Sequence, residues 1–150
     1  MTNWTHKKFS ELTPAELYAI LRLRSEVFVV EQNCVFLDMD DKDQSSHHLM
    51  GWQGEELVAY LRIVPPGISY VEFSIGRIVS SPTVRKQGIG RVLVSKGIEL
   101  AYTLHGKGVI RIGAQYYLKG FYESLGFEKA GDTYWEDGIQ HIEMLLLIKD

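Results

Sequence analysis

The stretch Arg85-Lys86-Gln87-Gly88-Ile89-Gly90 constrains this chain more than any other. A strand-like segment, Glu72 to Ser80, runs into it, and a helix-like segment, Ile89 to Leu104, runs out of it. A strand, a basic turn with glycines and a helix start together make an anion site. The first N–H groups of a helix lack internal partners, and the helix dipole places roughly half a positive charge there. Gly88 and Gly90 remove side chains, so a diphosphate can approach the backbone, while Arg85, Lys86 and Arg91 add positive charge. The stretch is not a Walker A loop, which needs glycines further apart followed by Lys-Ser or Lys-Thr. Nor is it a dinucleotide fingerprint, because Val94 stands where a third small residue belongs.

A chain of 150 residues is long enough for a real core and fits one domain, residues 1–150. A formal net charge of -3 argues against nucleic acid as a partner, since general binders carry a basic excess. Cys34 is the sole cysteine, which rules out an intrachain disulfide and a Cys-rich metal site. Asp38, Asp40, Asp41 and Asp43 lack the glycine and distal Glu of a calcium loop, so no metal is expected. No stretch approaches the ~20 apolar residues of a membrane span. Met1 to Ser10 is polar, unlike a signal peptide, and the expected compartment is the cytoplasm.

Trp4 to Phe9 reads as a first strand. Thr13-Pro14-Ala15-Glu16 is a helix start with a capping box and proline at the first helical position. Leu17, Ile20, Leu21 and Phe28 follow at helical spacing, and the period fails at Val27-Phe28-Val29-Val30, where the helix is expected to give way to an irregular loop. His47 to Gln53 and Glu56 to Val64 read as strands joined at Gly54, and Tyr70 to Ser80 as a third with Val71, Phe73 and Ile75 on one face. In the helix after the turn, Ile89, Val92, Leu93, Leu100 and Leu104 share a face. Val109 to Ala114 is a strand, Tyr117 to Leu125 a helix, and Phe127 to Ala130, Thr133 to Glu136 and His141 to Ile148 are strands, with a turn at Asp137-Gly138. This order suits an α/β (α+β) fold with a mixed central sheet and helices on both faces.

The turn resembles the Arg/Gln-x-x-Gly-x-Gly/Ala signature of the GNAT N-acetyltransferases. Gly120-Phe121-Tyr122-Glu123-Ser124-Leu125-Gly126-Phe127 resembles their second landmark, an aromatic pair followed by Gly-Phe, in the right order and at the right separation. Val27 to Gln32, Ile75 to Val79 and Glu136 to Met144 look like the ElaA-like branch. The resemblance implies a mostly antiparallel sheet with splayed central strands. It implies transfer of an acetyl group from acetyl-CoA, as cosubstrate, to a primary amine of a small molecule or peptide, by direct attack in a ternary complex. The alternative is a non-catalytic acyl-coenzyme A sensor, which would keep the turn but need no acid.

On that resemblance Lys86, Gln87, Gly88, Ile89, Gly90 and Arg91, with Arg85, hold the pyrophosphate. Ile78, Val79 and Ser80 bond the pantetheine arm and polarise the thioester carbonyl. Tyr122 is the general acid, with Tyr116 and Tyr117 as rivals. Many relatives place a carboxylate base on the strand before the signature, but here Gly76 and Arg77 occupy that neighbourhood. Glu72, Glu31 and His141 are the candidates for the base, His141 because imidazole titrates near ~6.5, and His47 and His48 are weaker ones. The aspartates of the 38–43 loop would either attract a cationic amine or form a solvated loop. Relatives often pair through late strands, so Ile142, Met144, Leu145, Leu146 and Leu147 would support a homodimer or be a buried core strand.

Overall fold

The computed structural model describes residues 1–148. Seven strands form one sheet in the order β1-β2-β3-β4-β5-β7-β6, with β1 Asn3–Lys8, β2 His47–Gln53, β3 Glu56–Val64, β4 Phe73–Ser80, β5 Ile110–Gln115, β6 Glu128–Glu136 and β7 Ile139–Leu146. Every neighbouring pair is antiparallel except β4 with β5. The three helices are α1 Pro14–Arg24, α2 Ile89–His105 and α3 Lys119–Glu123. α1 begins with the expected capping box, Thr13 accepting from the Glu16 N–H and Glu16 accepting from the Thr13 N–H.

Alternation along β3 separates two cores. Leu61 and Ile63 face α2 together with Leu93, Val94, Ile112 and Met144, while Tyr60 faces α1 together with Ile20, Leu23, Val27 and Met50. Both faces of the central strands are therefore covered, which is why His48, Leu49 and Met50 are all buried and alternation in β2 reads weakly.

Several elements differ from the sequence-based expectation. α1 does not give way to a loop at Val27; it widens into a π-helix over Ser25–Glu31, with Gln32 N–H donating to the Val27 carbonyl and Cys34 N–H to that of Val29. The lost 3.6-residue period is the signature of that widening. β4 starts only at Phe73, and Val71 is exposed outside it. The segment expected as two strands is one, β6, with its register broken between Lys129 and Thr133. Ile142, Met144 and Leu146 point inward, so that part of the late apolar run is core strand.

On α2 the buried face is Ile89, Leu93, Val94, Gly97, Leu100 and Ala101, whereas Val92 and Leu104 are exposed. The face is set by closeness to β3, since a Cβ on Gly97 would lie 2.6 Å from Leu61 Cδ2. Gly97→Val is expected to lose ~1–3 kcal/mol through overpacking. A lower denaturant midpoint at unchanged m-value would show it.

Candidate active site

β4 and β5 pair at only Phe73↔Ile110 and Ser74↔Arg111, and beyond Ser74 they diverge. On its other side β4 keeps β3 but carries a bulge, because Leu61 alone separates Tyr60 from Arg62 while Arg77 and Ile78 separate their partners Gly76 and Val79. Arg77 takes a left-handed φ of 48° within that bulge. The divergence opens a cleft of about 740 Å³ that both strand ends line, Ile78, Val79 and Ser80 on one wall and Ile112, Ala114 and Gln115 on the other. The β4 edge facing the cleft has no strand partner past Ser74, so its backbone groups are available to a ligand.

The basic turn starts at the cleft, where its first residue, Arg85, is part of the lining. Lys86 and Gly88 have φ of 70° and 74°, and Gly88 caps α2 without any side-chain hydrogen bond. A side chain at Gly90 would meet only ordinary contact, 3.7 Å to Phe121 Cζ. Internal packing therefore does not demand glycine there, whereas a close-lying ligand would. The positive charge is partly committed. Arg85 makes a bidentate pair with Glu31 at 2.7 and 2.6 Å, and Arg91 donates to Ser124 Oγ and lies over the Phe121 ring. Gln87 and Lys86 are exposed, and Ile89 is buried beneath them.

Tyr122 lies on α3 and lines the cleft. Its ring makes edge contacts with Phe121 and Phe127, and burial pushes the phenol well above its ordinary range. Tyr117 also lines the cleft but is largely exposed.

The candidate bases are scattered. His141 lines the cleft; its Nδ1–H donates to the Ile139 carbonyl at 2.8 Å, which leaves Nε2 as the free lone pair, 3.8 Å from Glu136 Oε2. Tyr134 stacks on the imidazole. Glu72 is placed differently. It precedes β4, does not line the cleft, and is held by Arg111 at 3.0 and 3.2 Å, whose hydrogen bonds keep its carboxyl below the usual range. Its nearness in sequence to β4 is misleading, because it sits at the paired end of the strand and the cleft is at the splayed end. His48 is buried between the Tyr60 hydroxyl and the Asp43 carbonyl, and His47 meets His6.

Three of the four aspartates of the 38–43 loop form neither a free negative rim nor a solvated loop, while Asp41 is exposed. Asp38 and Asp43 are buried and Asp40 partly so. Arg24 donates to Asp38 at 2.8 Å and to Asp43 at 2.7 Å, Arg62 to Asp40 at 2.8 Å and Asp43 at 2.9 Å, and Arg77 contacts Asp38 at 2.9 Å. Burial alone would push the carboxyls of Asp40 and Asp43 up, and the hydrogen bonds and charges of the arginines more than reverse it. The cluster ties α1, the loop, β3 and the β4 bulge into one body.

Sequence reasoning also missed a roof. The end of the π-helix crosses the cleft and is fastened on three sides, Glu31 to Arg85 of the turn, Gln32 to Gln115 of β5 by a reciprocal amide pair at 3.0 and 3.2 Å, and Cys34 Sγ to the Asp137 carbonyl of the β6–β7 turn at 2.8 Å. The only local hint was the apolar run before Glu31.

A family model described as "Acetyltransferase (GNAT) domain" matches residues 15–148. Protein ElaA of Escherichia coli is 40% identical over 146 residues, covering 96% of this chain and 95% of that protein. Its crystal structure superposes with a TM-score of 0.90 at 39% identity, covering 97% of this chain and 99% of that one. A crystal structure described as an acyl-CoA N-acyltransferase from Pseudomonas aeruginosa gives a TM-score of 0.92 at 40% identity, again over 97% and 99%. An aminoglycoside 6′-N-acetyltransferase solved with coenzyme A shares the fold at a TM-score of 0.69 and 17% identity, over 97% and 98%. The splayed strands, the uncapped turn and the buried tyrosine thus sit in a frame found throughout these proteins, and the chain belongs to the GNAT acetyltransferase family, in its ElaA branch.

Proposed function

We propose that this protein is an N-acetyltransferase that moves an acetyl group from acetyl-coenzyme A to a primary amine by direct attack, with residues 1–150 as one catalytic domain working in the cytoplasm. Family membership supports acyl transfer from an acyl-coenzyme A to an amine. The observation that carries the finer reading is one cleft lined by the unpaired β4 edge and the Tyr122 ring, with Arg85, where the left-handed glycine turn at the uncapped α2 begins, on its wall. Among the described residues no cluster of side chains suits a metal ion and no helix is long and apolar enough to cross a membrane.

The residues fit the cofactor. The open space outside Gly88 and the free N–H groups of the first turn of α2 suit a diphosphate, and the β4 edge suits an amide-bearing arm. When bound, acetyl-coenzyme A supplies a thioester, an acetyl group joined to a good leaving sulfur. The chain's own groups then divide the work. Lys86 to Arg91 hold the diphosphate. Backbone groups at Ile78, Val79 and Ser80 hold the arm and turn an N–H toward the carbonyl oxygen. A lost donor of that kind typically costs ~3 kcal/mol. His141 Nε2 takes a proton from the acceptor ammonium, and the Tyr122 hydroxyl gives one to the sulfur. Burial keeps Tyr122 fully protonated near neutrality, and the same burial makes it a reluctant donor, so its share belongs at the low end of acid catalysis. Glu72 has no part in this scheme.

Calorimetric titration with acetyl-coenzyme A and with coenzyme A tests the reading. Wild type is expected to bind both. Gly88→Glu is expected to abolish binding by charge repulsion, and Gly88→Asn, which tolerates the left-handed backbone without adding charge, to weaken it only in part. Failure of the wild type to bind either ligand would overturn the proposal.

A further inference from the structure

Resting on the acyltransferase reading above, we infer that the acceptor is a singly charged primary amine borne on an apolar, aromatic-sized group, and not a polyamine or an aminoglycoside. Three observations converge. Asp38, Asp40 and Asp43, which a polycation would need, are spent on Arg24, Arg62 and Arg77, and the exposed Asp41 does not line the cleft. The cleft-lining carboxylates outside that cluster and outside the Glu31–Arg85 pair are Glu136 and Asp137, both at the β6–β7 turn beside His141. The cleft therefore has one anionic pole, next to the imidazole that would take the proton. On the side of the acidic loop, Lys42 lines the cleft and would repel a second ammonium.

The remaining walls are apolar. Phe28, Phe36 and Leu37 line the cleft from the roof, Tyr117 from the α3 side and Ile139 from the hairpin. Phe36 is held with its ring beneath the Arg77 guanidinium at 6.0 Å, and the roof is fastened to the hairpin through Cys34. Phe36 thus lies at the β4 bulge, and the roof it belongs to reaches the hairpin at Asp137. Leu37 is 75% exposed at the cleft, so a ligand seated there would bury it. A single ammonium at Glu136 and His141, with its apolar substituent under Phe36 and Leu37, satisfies every wall. A second ammonium reaching away from that pole would meet the apolar roof or Lys42.

The test is a rate comparison with the full chain and saturating acetyl-coenzyme A, following thiol release. The panel is phenethylamine, tyramine and tryptamine against spermidine and kanamycin. The arylalkylamines are expected to have kcat/KM at least roughly tenfold above the polycations, since burying one such ring against carbon is worth more than that factor. Leu37→Asp, at an exposed position that does not disturb the fold, is expected to lower kcat/KM for phenethylamine roughly tenfold through KM and to narrow or reverse its lead over spermidine. Preference for spermidine or kanamycin, no acetylation of the arylalkylamines, or an unchanged ratio in Leu37→Asp overturns the inference. Calorimetry with coenzyme A on the same samples separates this outcome from failure of the acetyltransferase reading, which would show as no coenzyme A binding.

Discussion

Arg24→Ala is expected to destabilise the protein by about 3–5 kcal/mol, the range for breaking a buried ion pair from one side. Arg24 is fully buried and holds Asp38 and Asp43 at once, so its loss strands two carboxylates in the interior. The sign with pH follows from the lowered carboxyls of Asp40 and Asp43. Their contribution is complete above the unfolded value of ~3.9 and is lost as pH falls through the lower folded values. Removing Arg24 lets Asp43 rise again, so the acid-unfolding midpoint of the variant should lie at higher pH than that of wild type. Circular dichroism against denaturant and against pH reads both effects. A loss below 1 kcal/mol with an unmoved acid midpoint would show that the cluster is not a structural clamp.

Tyr122→Phe is expected to lower kcat by about 10²-fold, the low end for a general acid, with the KM for acetyl-coenzyme A within about twofold. Phenylalanine keeps the edge contacts with Phe121 and Phe127, so packing and stability should hardly move. Steady-state kinetics together with coenzyme A calorimetry isolate the hydroxyl. An unchanged kcat would move the acid role away from Tyr122, with Tyr117 next in line across the same cleft.

What was readable in the sequence was what local chemistry decides. The Thr13–Glu16 capping box, the β2 and β3 bounds, the Asp137-Gly138 turn and the start of α2 at Ile89 depend on neighbours a few residues away. The errors are those of distance. Asp38, Asp40 and Asp43 looked free because Arg24, Arg62 and Arg77 lie 14 to 39 residues away in sequence. Glu72 looked close to the chemistry because it adjoins β4, and nothing local reveals that β4 meets β5 at that end and leaves it at the other. The buried face of α2 was misjudged at Val92 and Leu104 because Gly97, an unremarkable residue in a hydrophobic pattern, is a point of close approach to Leu61 of the sheet.

The two rungs between β4 and β5 also bear on mechanics. A sheet of seven strands suggests one stiff plate, but these rungs divide it into a plate of β1 to β4 and a plate of β5 to β7. Away from that seam the plates share the core beneath α2 and are tied at the roof by Gln32 to Gln115 and Cys34 to the Asp137 carbonyl. Small rotations about the seam would widen or narrow the cleft without breaking either ladder. The molecule is thus built like a book whose spine is two hydrogen-bonded positions wide, and a ligand lying along the open edge of β4 would act as a bookbinder's stitch between its halves.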